Sequence, residues 1–300
     1  MARTWGLFAL VSILWGVPYL FTEIALKDME PFSIAAARIA IAALVLAPFL
    51  LHEQRWRILA KRWRVLIVLT TVELVVPLSL IAAGQRTVPS GTTGVLIATE
   101  PLFIAILAPL IIRKPWLSPL GWVGLVLSIA GVATLMGVSA AGPGVLLIAG
   151  AALAYAVGAI LIDHWFGKLD SLVVAAGMIT LAAPILIPLA LVAEPMHAPS
   201  VNTVLALSTL GIACTAAGFT AYFALIKRAG PTKAALTTHT APVIAIVAGI
   251  LVLGERLTFW QILGCGLILV GATCVVRPTP ALIGTLRQPP SPSHDHSITK

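Results

Sequence analysis

The chain has 300 residues, of which 59% are hydrophobic and only 10% are charged. Soluble domains carry about 25% charged residues, so 19 basic and 11 acidic side chains are too few to cover a water-soluble protein of this length. The net charge of +8 does not indicate nucleic-acid binding, because the basic residues form short clusters between long apolar stretches. We therefore expect the chain to lie in a lipid bilayer, without a nucleic-acid partner.

Ten apolar segments are long enough to cross the hydrocarbon core of a bilayer, which requires about 20 helical residues. Glycine and proline mark most of the joints between them, as at Gly142-Pro143-Gly144. The sequence therefore predicts an all-α membrane protein with ten transmembrane helices. In chain order the segments cover residues 4–26, 32–51, 63–83, 91–112, 118–136, 144–165, 171–192, 204–226, 232–253 and 259–276.

The distribution of lysine and arginine predicts the orientation, because positively charged loops are retained in the cytoplasm. If the amino terminus is cytoplasmic, fifteen of the 19 basic residues fall in cytoplasmic segments, whereas Lys27, Arg86 and Arg256 fall in outer loops. Arg38 lies within the second segment. We therefore expect both termini in the cytoplasm. Residues 277–300 are rich in proline and serine, and we expect them to form a disordered cytoplasmic tail.

The two halves of the chain are related by an internal repeat with an offset of 140 to 141 residues. Each half, residues 4–137 and residues 144–276, contains five segments, so the second half is predicted to enter the membrane from the opposite side. Inverted repeats are typical of transporters that bind their substrate near the midplane between the halves. The matches include Glu100-Pro101 with Ala241-Pro242, Trp15-Gly16 with Tyr155-Ala156, Gly124 with Gly264 and Gly131 with Gly271.

These features together resemble the drug/metabolite transporter superfamily, and more narrowly its EamA branch. The resemblance rests on the ten segments, on Arg38, on the two proline steps and on Gly254-Glu255-Arg256-Leu257 before the last segment. The overall pattern is similar to YddG-type exporters of aromatic amino acids. This resemblance implies export of small metabolites through a central cavity formed by the first, third, fourth, sixth, eighth and ninth helices, with the fifth and tenth at the periphery.

Ionisable groups inside the apolar segments are candidates for substrate binding, because a charge in hydrocarbon is costly unless it faces a cavity or a partner. Glu73 lies in the third segment, Glu100 in the fourth and His239 in the ninth. They are predicted to bind a substrate ammonium group or to exchange a proton; the alternative is that they only brace helices. Arg38 is expected to contact a substrate carboxylate, to pair with a glutamate or to extend to the outer headgroups. Helix breaks are predicted at Pro18, Pro77, Pro101 and Pro242.

Aromatic side chains are further candidates. Ser12, Trp15, Tyr19 and Thr22 follow at spacings of three and four residues, so they share one face of the first helix. Trp15 and Tyr19, together with Tyr155 of the second half, are predicted to line the cavity and to contact flat apolar or cationic substrates. The alternative for these side chains is an aromatic belt at the membrane interface.

Small residues predict how the two peripheral helices pack. Gly124 and Gly131 in the fifth segment, like Gly264 and Gly271 in the tenth, are seven residues apart and therefore share a face. Small faces let helices approach closely. We expect the fifth helix to pack against the tenth through these glycines.

The sequence predicts no metal, cofactor or catalytic group. Cys214, Cys265 and Cys274 lie inside apolar segments without the spacing of a metal or disulfide motif. A Walker loop is absent, as are the hydrolase motifs His-Glu-x-x-His and Gly-x-Ser-x-Gly. We therefore expect a protein that is not an enzyme and is not driven by ATP.

The combined prediction is a secondary transporter of the bacterial cytoplasmic membrane that exports small metabolites, with aromatic or apolar amino acids as the first expectation. An exporter of drugs or quaternary amines is the alternative in the same class, and an integral membrane enzyme is the alternative in another. The expected partners are a small-molecule substrate and the lipid bilayer. We expect a monomer, with a homodimer as the alternative.

Overall fold

The structure, a computed structural model, describes residues 2–51, 56–112, 116, 118–138, 142–195, 198–229, 234 and 237–276. Within these ranges the regular elements are helices and no strand occurs, which confirms the all-α prediction. The predicted tail lies outside the described residues. The helices are α1 (Ala2–Gly16), α2 (Pro18–Ala25), α3 (Pro31–Leu51), α4 (Trp56–Ala60), α5 (Trp63–Thr70), α6 (Val76–Gly84), α7 (Ser90–Ile97), α8 (Glu100–Ile112), α9 (Pro119–Val138), α10 (Gly142–Phe166), α11 (Ser171–Ala193), α12 (Val201–Ser208), α13 (Gly218–Ala229), α14 (Thr237–Leu253) and α15 (Phe259–Val276).

Seven helical stretches in the described ranges are long and apolar enough to cross a membrane. Three shorter apolar helices accompany them, Pro119–Thr134, Thr240–Leu253 and Phe259–Val275. The protein is therefore a multi-pass membrane protein. The seven stretches are Arg3–Ala25, Pro31–Leu50, Trp63–Gly84, Ser90–Ile112, Gly142–Phe166, Ser171–Ala193 and Val201–Ile226.

Several apolar segments are distorted near prolines. The first divides at Val17, before Pro18, and the fourth divides at Ala98 and Thr99, before Pro101. The third is not divided at Pro77; it forms a π-helical turn over Thr71–Val75 instead. Proline has no N–H group to donate to the helix. A π turn inserts one extra residue, which lets the helix wind past the proline without ending.

Pro242 does not interrupt its helix, contrary to the prediction of a break. It lies inside α14, which is continuous from Thr237 to Leu253. A proline removes one backbone hydrogen bond and can bend a helix without ending it, so a proline in an apolar segment does not by itself predict a break.

The main contacts between the halves form a symmetric pattern: it is unchanged when each segment is exchanged with the segment five places away along the chain. The fifth packs against the tenth, the second against the seventh and the fourth against the ninth. The first packs against the eighth and ninth, and the sixth correspondingly packs against the third and fourth. A large buried apolar cluster lies among the second, third, sixth and seventh segments, with Ile39, Leu69, Ile179 and Leu186 fully enclosed.

The fifth and tenth segments meet backbone to backbone at glycines. A β-carbon at Gly124 would lie 2.5 Å from the carbonyl oxygen of Gly271, and one at Gly131 would lie 2.7 Å from that of Gly264. Ser128 lies between these contacts and donates a hydrogen bond of 3.4 Å to the Ile268 carbonyl. Larger side chains at Gly124, Gly131 or Gly271 would therefore separate α9 from α15.

Candidate functional site

A cavity of about 590 Å³ lies between the two halves, within the size range of small-molecule sites. Both halves contribute to its wall, including the two π-helical turns and the break between α7 and α8. Five of the six predicted substrate-binding residues line it: Trp15, Tyr19, Glu73, Glu100 and Tyr155. The sixth, His239, lies in α14, but its side chain is outside what the structure describes.

One wall of the cavity is aromatic and joins the first segment to the eighth. Trp15 packs on Tyr222 with ring centroids 4.5 Å apart and meets Phe219 edge-on at 5.9 Å. Phe223 stacks against Phe219 at 6.2 Å. This wall offers π faces to flat apolar or cationic groups.

Glu73 lies at the centre of the π-helical turn Thr71–Val75. The turn is closed by the Val76 N–H, which donates to the Thr71 carbonyl five residues earlier. The carboxylate packs directly on Gly158 of α10, where a β-carbon would lie 2.0 Å from Oε2 of Glu73. Oε2 is buried and has no hydrogen-bond partner among the described residues. Gly158 thus makes room for a carboxylate that the described part of the protein does not neutralise.

Glu100 begins α8, directly after the break at Ala98 and Thr99. Its side chain is half-buried and lines the cavity. In the described ranges it makes neither an ion pair nor a hydrogen bond to protein. The start of a helix favours a negative charge, which makes a carboxylate tolerable at this depth.

Arg38 enters the cavity from α3 and is held by the eighth segment. Its Nε donates a hydrogen bond of 2.8 Å to Oγ1 of Thr215. Thr215 in turn donates to the Leu210 carbonyl at 2.7 Å, five residues earlier in the π-helical turn Thr209–Ala217. This π turn corresponds by the repeat offset to the one at Glu73, and Cys214 stands at the position equivalent to Glu73. The halves therefore share a backbone distortion but differ in chemistry.

At one end of the bundle, carboxylates of one half cap helices of the other. We call this the capped end; its described residues are 26–33, 85–91, 194–195, 198–203 and 254–258. Glu194 accepts hydrogen bonds from the N–H groups of Phe32 and Ser33 at 2.9 and 2.7 Å, and from the Ser33 hydroxyl at 2.8 Å. These donors belong to the first turn of α3. Glu194 therefore fills the role of an N-cap from a distant part of the chain.

Glu255 caps α7 in the same way. It accepts from the Ser90 N–H and hydroxyl at 2.7 and 2.6 Å and from the Gly91 N–H at 3.1 Å. Gly254 has a φ of +66°, which favours glycine, and it turns the chain so that Glu255 N–H bonds the Gly249 carbonyl. The Gly254-Glu255 motif thus fixes a carboxylate between α14 and α7.

Asp28 completes the set by capping α12. Its Oδ2 accepts from the Ser200 N–H at 3.1 Å and from the Thr203 hydroxyl at 2.6 Å. Hydrogen bonds from Ser200 and Thr203 hold the pKa of this partly exposed carboxyl below its usual range. Nearby, Arg86 forms an ion pair with Glu30.

The cavity reaches exposed residues at the opposite end of the bundle. Asp163, Gly167 and Ser171 line it there and are exposed. We call this the basic end, because the described part of it carries the exposed residues Arg57, Lys61, Arg62, Arg64, Lys168 and Arg228. At the capped end, by contrast, the cavity is lined by the buried residues Thr22, Ile81 and Gly94.

Several site features escaped sequence analysis. Glu194 carries no motif, and Glu255 was identified only through a family resemblance. Phe219 and Phe223 are four residues apart, a spacing that indicates one aromatic face of the eighth segment. Gly158 gives no local sign that it faces a carboxylate, because that contact joins two segments far apart in the chain.

Comparison with other proteins identifies the family. Residues 4–137 and 142–277 each match the EamA-like transporter family. The uncharacterized transporter YvbV of Bacillus subtilis is 27% identical over 288 residues, which cover 92% of this chain and 92% of YvbV. The uncharacterized inner membrane transporter YedA of Escherichia coli is 27% identical over 282 residues, or 90% of this chain and 89% of YedA.

A solved crystal structure shares the fold. It superposes with a TM-score of 0.66 at 20% sequence identity, covering 96% of this chain and 100% of the other. The predicted EamA resemblance is confirmed, whereas specificity for aromatic amino acids stays a prediction, since the named relatives are uncharacterized transporters. The chain belongs to the EamA-like transporter family, and it is a multi-pass membrane transporter.

Proposed function

We propose that this protein is a secondary transporter that exports small metabolites, with aromatic or apolar amino acids as its first substrates. The observation that carries the proposal is the cavity between the halves, which combines an aromatic wall with two carboxylates that no described residue neutralises. Trp15 and Tyr222 suit an aromatic or apolar side chain, and Glu73 and Glu100 suit an ammonium group.

The proposed topology has ten crossings in two inverted five-helix repeats, 4–137 and 144–276, with both termini in the cytoplasm. The contact pattern, which is preserved when the halves are exchanged, supports this arrangement. The basic end then faces the cytoplasm, and the capped end faces outward. Substrate enters from the basic end, and the halves rock about the cavity to release it at the capped end, in the manner of inverted-repeat transporters.

We place the protein in the bacterial cytoplasmic membrane and propose that it acts as a monomer. The described residues of one chain supply cavity-lining groups from both halves, which is consistent with a site built within a single subunit. The π-helical turns and the break before Glu100 provide points at which the lining helices bend.

The decisive experiment is flux in proteoliposomes that contain the purified full-length protein. Labelled phenylalanine, tryptophan, leucine and tetraethylammonium are compared, with protein-free liposomes as the control. The proposal expects movement of amino acids and competition among those with large apolar side chains. Movement of tetraethylammonium without movement of any amino acid would refute it.

An exporter of quaternary amines is the second candidate. Glu73 and Glu100 beside an aromatic wall favour it, because cations bind to carboxylates and to π faces. The same panel separates the two candidates. Membership of a transporter family supports neither an enzyme nor a catalytic role for these carboxylates.

A further inference from the structure

We propose that Arg38 binds the carboxylate of the substrate, so that the cavity selects zwitterions over the corresponding amines. This inference rests on the proposed function, since it assigns one more group of an amino acid to one more residue of the same cavity. It concerns specificity, and its test is separate from the test of transport itself.

The guanidinium of Arg38 is only partly bonded to the described part of the protein. An arginine side chain has five N–H donors, and Arg38 uses its Nε to bond Thr215. Among the described residues neither terminal nitrogen of Arg38 has a hydrogen-bond partner, although the side chain lines the cavity. The two terminal nitrogens are the edge that binds carboxylates in bidentate fashion.

The bond between Arg38 and Thr215 is held rigidly. The Thr215 hydroxyl donates its only proton to the Leu210 carbonyl at 2.7 Å and accepts from Arg38 at 2.8 Å. Its orientation is therefore fixed from both sides. Gly211 of the same π-helical turn packs on α3, where a β-carbon would lie 2.9 Å from the Arg38 carbonyl. The guanidinium is thus held in place before a ligand arrives, which lowers the entropic cost of binding.

The cavity contains a basic side chain and two glutamates that do not pair with it in the described ranges. Arg38, Glu73 and Glu100 all line it, yet in the described ranges neither glutamate forms an ion pair with Arg38. Opposite charges that lie in one membrane cavity without pairing leave both signs to be satisfied by something else. A substrate that carries an ammonium and a carboxylate satisfies both at once, whereas an amine or a quaternary ammonium leaves Arg38 without a counter-charge.

The test measures which small molecules compete with labelled phenylalanine for counterflow in proteoliposomes. Phenethylamine lacks the carboxylate, and 3-phenylpropionate lacks the ammonium. In the native protein phenylalanine should compete better than either. Arg38→Gln should weaken competition by phenylalanine about 10- to 100-fold, the scale of a lost charge-assisted pair, and leave competition by phenethylamine unchanged.

Two further variants separate recognition from bracing. Thr215→Val removes the bond to Nε but keeps the positive charge, so it should retain most of the preference for phenylalanine over phenethylamine. Arg38→Lys keeps the charge without the bidentate edge and should reduce the preference only in part; it also serves if Arg38→Gln does not fold.

The outcomes are distinct. If Arg38→Gln or Arg38→Lys transports phenylalanine and keeps the full native preference over phenethylamine, or weakens both compounds equally, Arg38 does not read the carboxylate and the inference is wrong. If the native protein moves quaternary amines but no amino acid, the proposed function fails first, and the zwitterion inference falls with it.

Discussion

The carboxylates of the capped end and those of the cavity are the same chemical group in opposite circumstances. Glu194 and Glu255 each accept from two backbone N–H groups and a serine hydroxyl of the other half. Glu73 and Glu100, at the cavity wall, receive no donor from the described residues. The first pair satisfies orphan groups at helix starts; the second pair has no such partner among the described residues, and we propose that it serves a ligand.

This difference teaches how an ionisable residue in a membrane protein is to be interpreted. Hydrogen bonds to a charged group contribute about 1.5–3 kcal/mol each when made, so removing a saturated carboxylate should cost stability. Removing an unsatisfied one should cost function and leave stability nearly unchanged. The following predictions test that separation.

The largest effect is expected from the double variant Glu194→Ala and Glu255→Ala. It leaves the first turns of α3 and α7 without caps from the other half. Water replaces part of each cap's bonding, so each cap is counted once at about 1.5–3 kcal/mol, which gives a loss of roughly 3–6 kcal/mol for the pair. The melting temperature in detergent should fall on the order of 10 °C. Glu30→Gln is the control, because its ion pair with Arg86 is partly exposed and such pairs contribute about 0–1 kcal/mol. Equal melting temperatures for the double variant and the control would contradict the structural role.

Glu100→Gln should have the opposite profile. The substitution keeps shape but removes charge, so we expect an unchanged melting temperature and a fall in flux of about tenfold or more, equivalent to ~1.4 kcal/mol. Proteoliposome flux across a pH range, with thermal stability measured in parallel, checks both parts. Normal flux at every pH in both Glu100→Gln and Glu73→Gln would assign the two carboxylates to bracing.

Gly158→Ala tests the seat of Glu73 without altering any charge. The added β-carbon would lie 2.0 Å from Oε2 of Glu73, so the carboxylate must move. Flux should therefore fall, but no further than it falls in Glu73→Gln. Gly150→Ala is the matched control on the same helix, because its β-carbon would meet Leu80 at an ordinary 3.4 Å. Identical flux in the two alanine variants would show that the position of Glu73 does not matter.

The smallest effect concerns Asp28, whose pKa is held below its usual range by hydrogen bonds from Ser200 and Thr203. A lowered pKa in the folded state contributes stability above the ordinary aspartate pKa of about 4, and that contribution is lost as the pH falls through the lowered value. Asp28→Asn should therefore melt slightly below the native protein at pH 7. The difference should vanish in acid; a difference that persists at low pH would exclude the charge as its cause.

Sequence alone was sufficient for the class of fold, because in a bilayer every backbone group must bond internally and stretches of about 20 apolar residues therefore become helices. Glu73, Glu100 and Trp15, which line the cavity, were singled out because lipid penalises such groups; their role in binding stays a prediction. Proline located the distortions in the third and fourth segments. The presence of a proline does not determine whether the helix breaks, forms a π turn or continues: a break precedes Pro101, a π turn precedes Pro77, and the helix around Pro242 is continuous.

The tertiary structure decided which partners these residues have. The bond from Arg38 to Thr215 spans 177 positions of the chain, and the bond from Ser33 to Glu194 spans 161. Pairings at such separations depend on how whole helices stack, and a local pattern of residue types carries no record of that. For the same reason the sequence determined that Glu73 and Glu255 are carboxylates, whereas only packing decided that one meets an open cavity and the other meets the start of a helix.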